Sequence, residues 1–130
     1  MSSIDDLYHD ALLAELDSPR HQGPLQDFTA RNQEYSASCG DLIEVWLKLD
    51  EGQDPKIEDI GWRGNGCAIS QASMSLLSDR VMGQTKSEVL ELGSRDLEKL
   101  IGVKKISPGR IKCLMIGLTA IQSAFTKKES

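Results

Sequence analysis

Alternation of apolar and polar residues with a period of two is confined to residues 29–63, and every segment from residue 68 onward carries helical spacing instead. Strand and helix signals that are segregated along a chain argue for an α+β fold, because parallel strands need long crossovers between them. In residues 42–49, Ile43, Val45, Leu47 and Leu49 alternate with Leu42, Glu44, Trp46 and Lys48, which predicts a strand packed chiefly on one face. Breakers at 50–55 separate it from a third strand at 57–63, with Ile57, Asp59, Gly61 and Arg63 opposite Glu58, Ile60 and Trp62. Short strands joined by tight turns predict a small antiparallel three-stranded sheet with helices packed on one face.

The helical segments are bounded by recognisable stops and caps. Ile4, Leu7, Tyr8, Ala11 and Leu12 form an opening amphipathic helix ended by Ser18-Pro19, and residues 20–27 read as a loop. Residues 68–82 run without a breaker to Gly83 and carry serine on one side. Thr85-Lys86-Ser87-Glu88 is a capping box for a short helix to about residue 92. Ser94 caps another over 95–101, closed by Gly102, and Ser107-Pro108 opens a last helix to about residue 127. At about 100° per residue, Ile111, Leu114, Met115, Leu118, Ile121 and Phe125 make one apolar stripe, with Cys113 about 140° from its centre. That places Cys113 outside the main core, or in a small-residue stripe with Gly117, Ala120 and Ala124 against a neighbouring helix.

At 130 residues the chain reads as one domain, 1–130, large enough for a single core. A net charge of −5, with only Lys104-Lys105 and Lys127-Lys128 as basic pairs, argues against nucleic acid as a partner. No apolar run is long enough to cross a bilayer, and the first residues lack the character of a secretory signal, so no membrane partner and a cytoplasmic location are expected. Three cysteines, an odd number in a reducing compartment, disfavour a disulfide framework.

Those cysteines carry the chemistry. In Ser38-Cys39-Gly40-Asp41 a thiol and a carboxylate stand two apart, so if the stretch is extended Cys39 and Asp41 reach one ion together. Gly64-Asn65-Gly66-Cys67 reads as a flexible turn running into a helix, where unpaired N–H groups and the helix dipole favour the thiolate of Cys67. Lys112 stands next to Cys113, either as a solvated helix residue or as a cation stabilising nearby thiolates. An isolated cysteine is ordinarily a small buried hydrophobe, but three in these contexts with an acid at ligand spacing favour metal or sulfur chemistry. A cysteine hydrolase would need a positioned base, and His9 and His21 lie in the first helix and the loop after it. A purely structural zinc protein, with a closed and inert metal, is the other alternative.

Larger motifs carry a resemblance. The chain resembles an iron–sulfur cluster assembly scaffold of the IscU/SufU type, the module also found at the N-terminus of NifU, and so implies a SufE/NifU-like fold. Ser18-Pro19-Arg20-His21-Gln22-Gly23 is similar to the family's N-P-R-x-x-G turn, and Cys39-Gly40-Asp41 matches its C-G-D signature. The run from Gly66 to Ser73 matches G-C-x-I-S-x-A-S, and Arg110-Ile111-Lys112-Cys113 resembles the SufU pattern R-V-K-C. The resemblance implies Cys39, Asp41, Cys67 and Cys113 as ligands of an iron–sulfur cluster of the 2Fe–2S type, or of Zn²⁺. It also implies a cysteine desulfurase and apo iron–sulfur recipient proteins as partners. Three soft thiolates and one harder, weaker carboxylate suit a carrier, since one corner opens more easily.

Two departures bear on mechanism. Lys112 stands where IscU proteins carry a histidine, and Ile106-Ser107-Pro108-Gly109 replaces that branch's leucine-proline-proline-valine-lysine motif. Both lean toward SufU, in which zinc holds the site and one cysteine, by analogy Cys39, accepts persulfide sulfur. The separation of Cys67 from Cys113 is short, as in IscU, without the insertion typical of SufU.

Overall fold

The computed structural model describes residues 14–36, 40–66, 68–101 and 108–126. Three strands, Ala30–Ser36 (β1), Asp41–Leu49 (β2) and Ile57–Asn65 (β3), form one antiparallel sheet in the order β1-β2-β3. Helices follow at Ala68–Arg80 (α1), Lys86–Leu90 (α2), Ser94–Ile101 (α3) and Pro108–Ala124 (α4). This is the expected α+β order. Of the opening helix only residues 14–17, which are helical, fall among the described residues.

Pairing fixes which side chains share a face. Ile43, Val45 and Leu47 stand opposite Gly64, Trp62 and Ile60, and opposite Glu34, Asn32 and Ala30 on the other side. Helix α4 packs on β1 and β2 of this face, and α1 packs on β3. Asn32 donates from Nδ2 to the α4 carbonyl of Ala120 at 3.0 Å, a tie that compensates the burial of its amide. The opposite face carries Glu44 between the guanidiniums of Arg31 and Arg63, with Arg63 lying 5.4 Å over the Trp46 ring. The third strand departs from simple alternation. Ile57 was expected opposite Ile60 and Trp62, yet all three are core residues. An irregularity between Lys48 and Leu49 pairs Leu49 with Ile57 and Lys48 with Asp59, so Glu58 is the extra residue and the facing parity switches there. β3 also runs two residues further than expected, through Gly64 and Asn65.

Turn chemistry behaves as its residues require. Gly83, at φ +80, follows the turn that ends α1. Thr85 accepts from the Glu88 N–H at 3.3 Å while Glu88 accepts from the Thr85 N–H at 3.0 Å, the reciprocal box expected for α2. Helix α3 starts one residue early, at Ser94, and Asp96 holds the Gly93 N–H at 2.8 Å. The expected stops at Gly102 and Ser107 lie outside the described residues.

Helix α4 corrects the reading of Cys113. The thiol is 8% exposed and belongs to the core. A single apolar stripe was too narrow a criterion, because α4 is enclosed by β1, β2 and α1 together. Gly117, Ala120 and Ala124 line its second buried side, as the small-residue alternative required. A methyl group built on Gly117 would lie 2.7 Å from Met74 Sδ of α1, so the two helices approach over this position. Gly117→Leu is therefore expected to destabilise by about 1–3 kcal/mol through overpacking. Gly117→Ala should cost less, since better helix propensity offsets about 1 kcal/mol of the strain. Urea unfolding of the two variants checks the order.

The serine side of α1 receives the N-terminal segment. Ser75 Oγ donates to Glu15 at 2.5 Å and accepts from the Arg20 N–H at 2.7 Å. Trp62 Nε1 donates to the Arg20 carbonyl at 2.7 Å, and Gly23 pairs with Trp62 through the backbone. Arg20 and His21 both reach Asp79, each at 3.2 Å. The hydrogen bond from His21 is the largest cause that holds the Asp79 carboxyl below its usual range; desolvation opposes it, and the charge and hydrogen bond of Arg20 add to the lowering. A depressed folded value means that this contribution is complete above the unfolded pKa, about 4, and is lost as pH falls through the folded one. Asp79→Asn is expected to flatten the loss of stability between about pH 5 and pH 3. Urea titrations across that window would expose the opposite result as a parallel, merely shifted curve.

Candidate metal centre

Asp41 opens β2 on the helix-covered face, paired across the hairpin with Ser36. Gly40, at φ +70, donates its N–H to the Ser36 carbonyl at 2.7 Å and closes the strand ends between which Ala37, Ser38 and Cys39 are inserted. Cys39 itself lies outside the described residues. Asp41 is only 1% exposed, a burial that a carboxylate bears only with compensating partners.

The end of β3 packs against it. β3 ends at Asn65, opposite Leu42, and at Gly66 a methyl group built on Cα would overlap the Asp41 side chain, 2.5 Å from Cγ and 2.9 Å from Cβ. The carboxylate thus occupies the space a side chain at 66 would fill. Gln71, closing the first turn of α1, donates from Nε2 to the Gly66 carbonyl at 2.9 Å. Cys67, the next residue, lies outside the described residues, and α1 begins immediately after it at Ala68.

Lys112 is exposed and lines a groove of about 270 Å³ with Glu34, Tyr35, Ser36, Met115, Ile116 and Thr119. Because Ser36 is the cross-strand partner of Asp41, the Lys112-Cys113 turn of α4 lies at the same end of the sheet as that carboxylate. His21 is tied instead to Asp79 on the N-terminal segment. Among the described residues no three His, Cys, Asp or Glu side chains form a metal-binding group. Two of the four expected ligands, Cys39 and Cys67, are not among them. The donor set fits zinc or an iron–sulfur cluster, since three thiolates and a carboxylate supply the soft, four-coordinate shell both take. The cradle at Gly66 fits it too, for it places a buried carboxylate against the residue that precedes Cys67. Sequence reasoning missed this contact because it read Gly64-Asn65-Gly66 as a turn. The sequence signal was no more than a glycine next to a thiol; the structure, in which Gly66 is absent from the positive-φ glycines, shows that the glycine answers to space and not to a turn.

Fold and site together define a small α+β domain with a buried carboxylate at the end of its sheet nearest the Lys112-Cys113 turn of α4. The chain belongs to the NifU-like N-terminal domain family, which it matches over residues 7–129. It is 35% identical to the iron–sulfur cluster assembly scaffold protein IscU of Streptococcus pyogenes serotype M1, over 98% of this chain and 87% of that protein. It is 30% identical to the zinc-dependent sulfurtransferase SufU of Bacillus subtilis, over 98% of this chain and 95% of that one. The fold is shared with a crystal structure of a NifU-like N-terminal protein from Brucella abortus, at a TM-score of 0.74 and 22% identity over 96% of each chain. No helix among the described residues is long and apolar enough to cross a membrane.

Proposed function

We propose that this protein is an iron–sulfur cluster assembly scaffold, in which Cys39, Asp41, Cys67 and Cys113 hold a nascent 2Fe–2S cluster as cargo and release it to apo-proteins. A cysteine desulfurase supplies the sulfur, and the cytoplasm is the setting. The observation that carries the reading is the buried Asp41 carboxylate packed on Gly66, next in sequence to Cys67. An oxygen ligand among thiolates is the weaker corner of a soft-metal site, and a carrier needs one that opens.

Lys112 supports a second reading, a zinc-dependent sulfur acceptor, because it lines the groove at the hairpin end and adjoins Cys113. There the Cys39 thiolate attacks the terminal sulfur of the desulfurase's cysteine persulfide. The S–S bond breaks, the desulfurase thiolate leaves, and the persulfide now sits on Cys39. Zinc, when bound, would hold the other ligands and lower thiol pKa values.

The test is metal analysis and the visible spectrum of protein purified without oxygen, before and after reconstitution with iron and sulfide. A sulfide-to-iron charge-transfer spectrum, followed by loading of an apo-ferredoxin, is the expected result. Tightly held zinc with no reconstitutable cluster overturns it in favour of the acceptor.

A further inference from the structure

We infer that Gly66 and Gln71 are positioning residues that hold the Asp41 carboxylate in fixed relation to Gly66, the residue before Cys67, an inference that rests on the shared site proposed above. Gly66, between β3 and α1, is held from both sides. On one side, Asp41 fills the volume that any side chain at residue 66 would need. Rotation about χ1 could swing Cγ and the carboxylate oxygens aside, but Cβ, 2.9 Å from the added methyl, moves only with the backbone of β2. That backbone is held by the Ser36–Asp41 and Leu42–Asn65 pairs. A larger residue at 66 therefore forces the start of β2 away from the end of β3. On the other side, Gln71 ties the Gly66 carbonyl to the first turn of α1. The amide is suited to this tie because a carboxylate there could not donate.

An ordinary structural tie would affect stability and leave the metal unchanged once the protein is folded. A positioning role moves the metal's own signal. Gly66→Ala, Gln71→Glu and Gln71→Lys are compared with wild type in apo, Zn²⁺ and Co²⁺ forms, using competition with a chromophoric chelator and the Co²⁺ absorption bands. Gly66→Ala should weaken zinc by about 10- to 100-fold, the usual consequence of disturbing a ligand's support. Its d–d bands should shift while the thiolate charge-transfer band persists. Gln71→Glu should weaken zinc in the same direction, and Gln71→Lys, which keeps a donor, should recover most of the loss. Wild-type affinity and an unchanged Co²⁺ spectrum in folded Gly66→Ala and Gln71→Glu would overturn the inference.

A second measurement needs no metal. In the apo-protein, thermal unfolding of Asp41→Gly, Gly66→Ala and the double variant should be non-additive, the double variant being the more stable for having lost the clash. Should wild type bind neither zinc nor cluster through its cysteines, the shared-site reading fails. This cycle still decides the packing, and additive losses would refute it.

Discussion

Replacing Cys39, Cys67 or Cys113 by serine, one at a time, is expected to strip the protein of zinc and of reconstituted cluster alike. A four-ligand zinc site draws roughly 10–16 kcal/mol from its donors. Losing about a quarter of that weakens binding on the order of 100-fold, because a serine hydroxyl stays protonated where a thiol ionises. The three variants should not behave identically in the apo state. Cys113 belongs to the core cluster, so a hydroxyl there adds a desolvation cost of about 1–3 kcal/mol. Apo thermal unfolding measured beside chelator competition separates that loss from the metal effect. Full occupancy in all three variants would mean that the cysteines share no site.

The sheet was legible because its strands advertise themselves through alternation, and because β2 has no alternative to burying Ile43, Val45 and Leu47 on one face. The short helices were legible from local chemistry alone, since the Thr85–Glu88 box needs only four residues to form. What escaped was set by neighbours distant in sequence. Cys113 is buried because α1 and two strands enclose α4 from more than one side, and no periodicity within α4 reports on α1. Ile57 joins Ile60 in the core only through an irregularity whose pairing partner, Leu49, lies across the turn. Gly66 illustrates the same limit at the site. Its missing side chain matters only against Asp41, which sits 25 positions earlier on another strand. Of the four proposed ligands, spacing paired only Cys39 with Asp41 and the family resemblance supplied the full set, while the described structure locates Asp41 and Cys113 alone.

Asp41→Ala should separate the scaffold from the sulfur acceptor. If the protein is a scaffold, three thiolates still gather iron and sulfide, so a cluster forms, but its transfer to an apo-ferredoxin slows by about tenfold or more. The reason is kinetic: an incoming thiolate enters where the oxygen ligand exchanges, and that corner is now missing or filled by something less suited to leave. If the protein is a zinc-held acceptor, the same change weakens zinc and diminishes stimulation of the desulfurase, since the fourth ligand orders the site that frees Cys39. The side chain is buried against Gly66, so its removal also leaves a small void, and apo stability must be followed in parallel. Transfer and desulfurase turnover are therefore measured together, in wild type and variant. The short separation of Cys67 from Cys113 favours the first pattern, and Lys112 on the groove beside Ser36 keeps the second in play. A wild type that accelerates the desulfurase yet never assembles a transferable cluster would reject the scaffold and leave the acceptor standing.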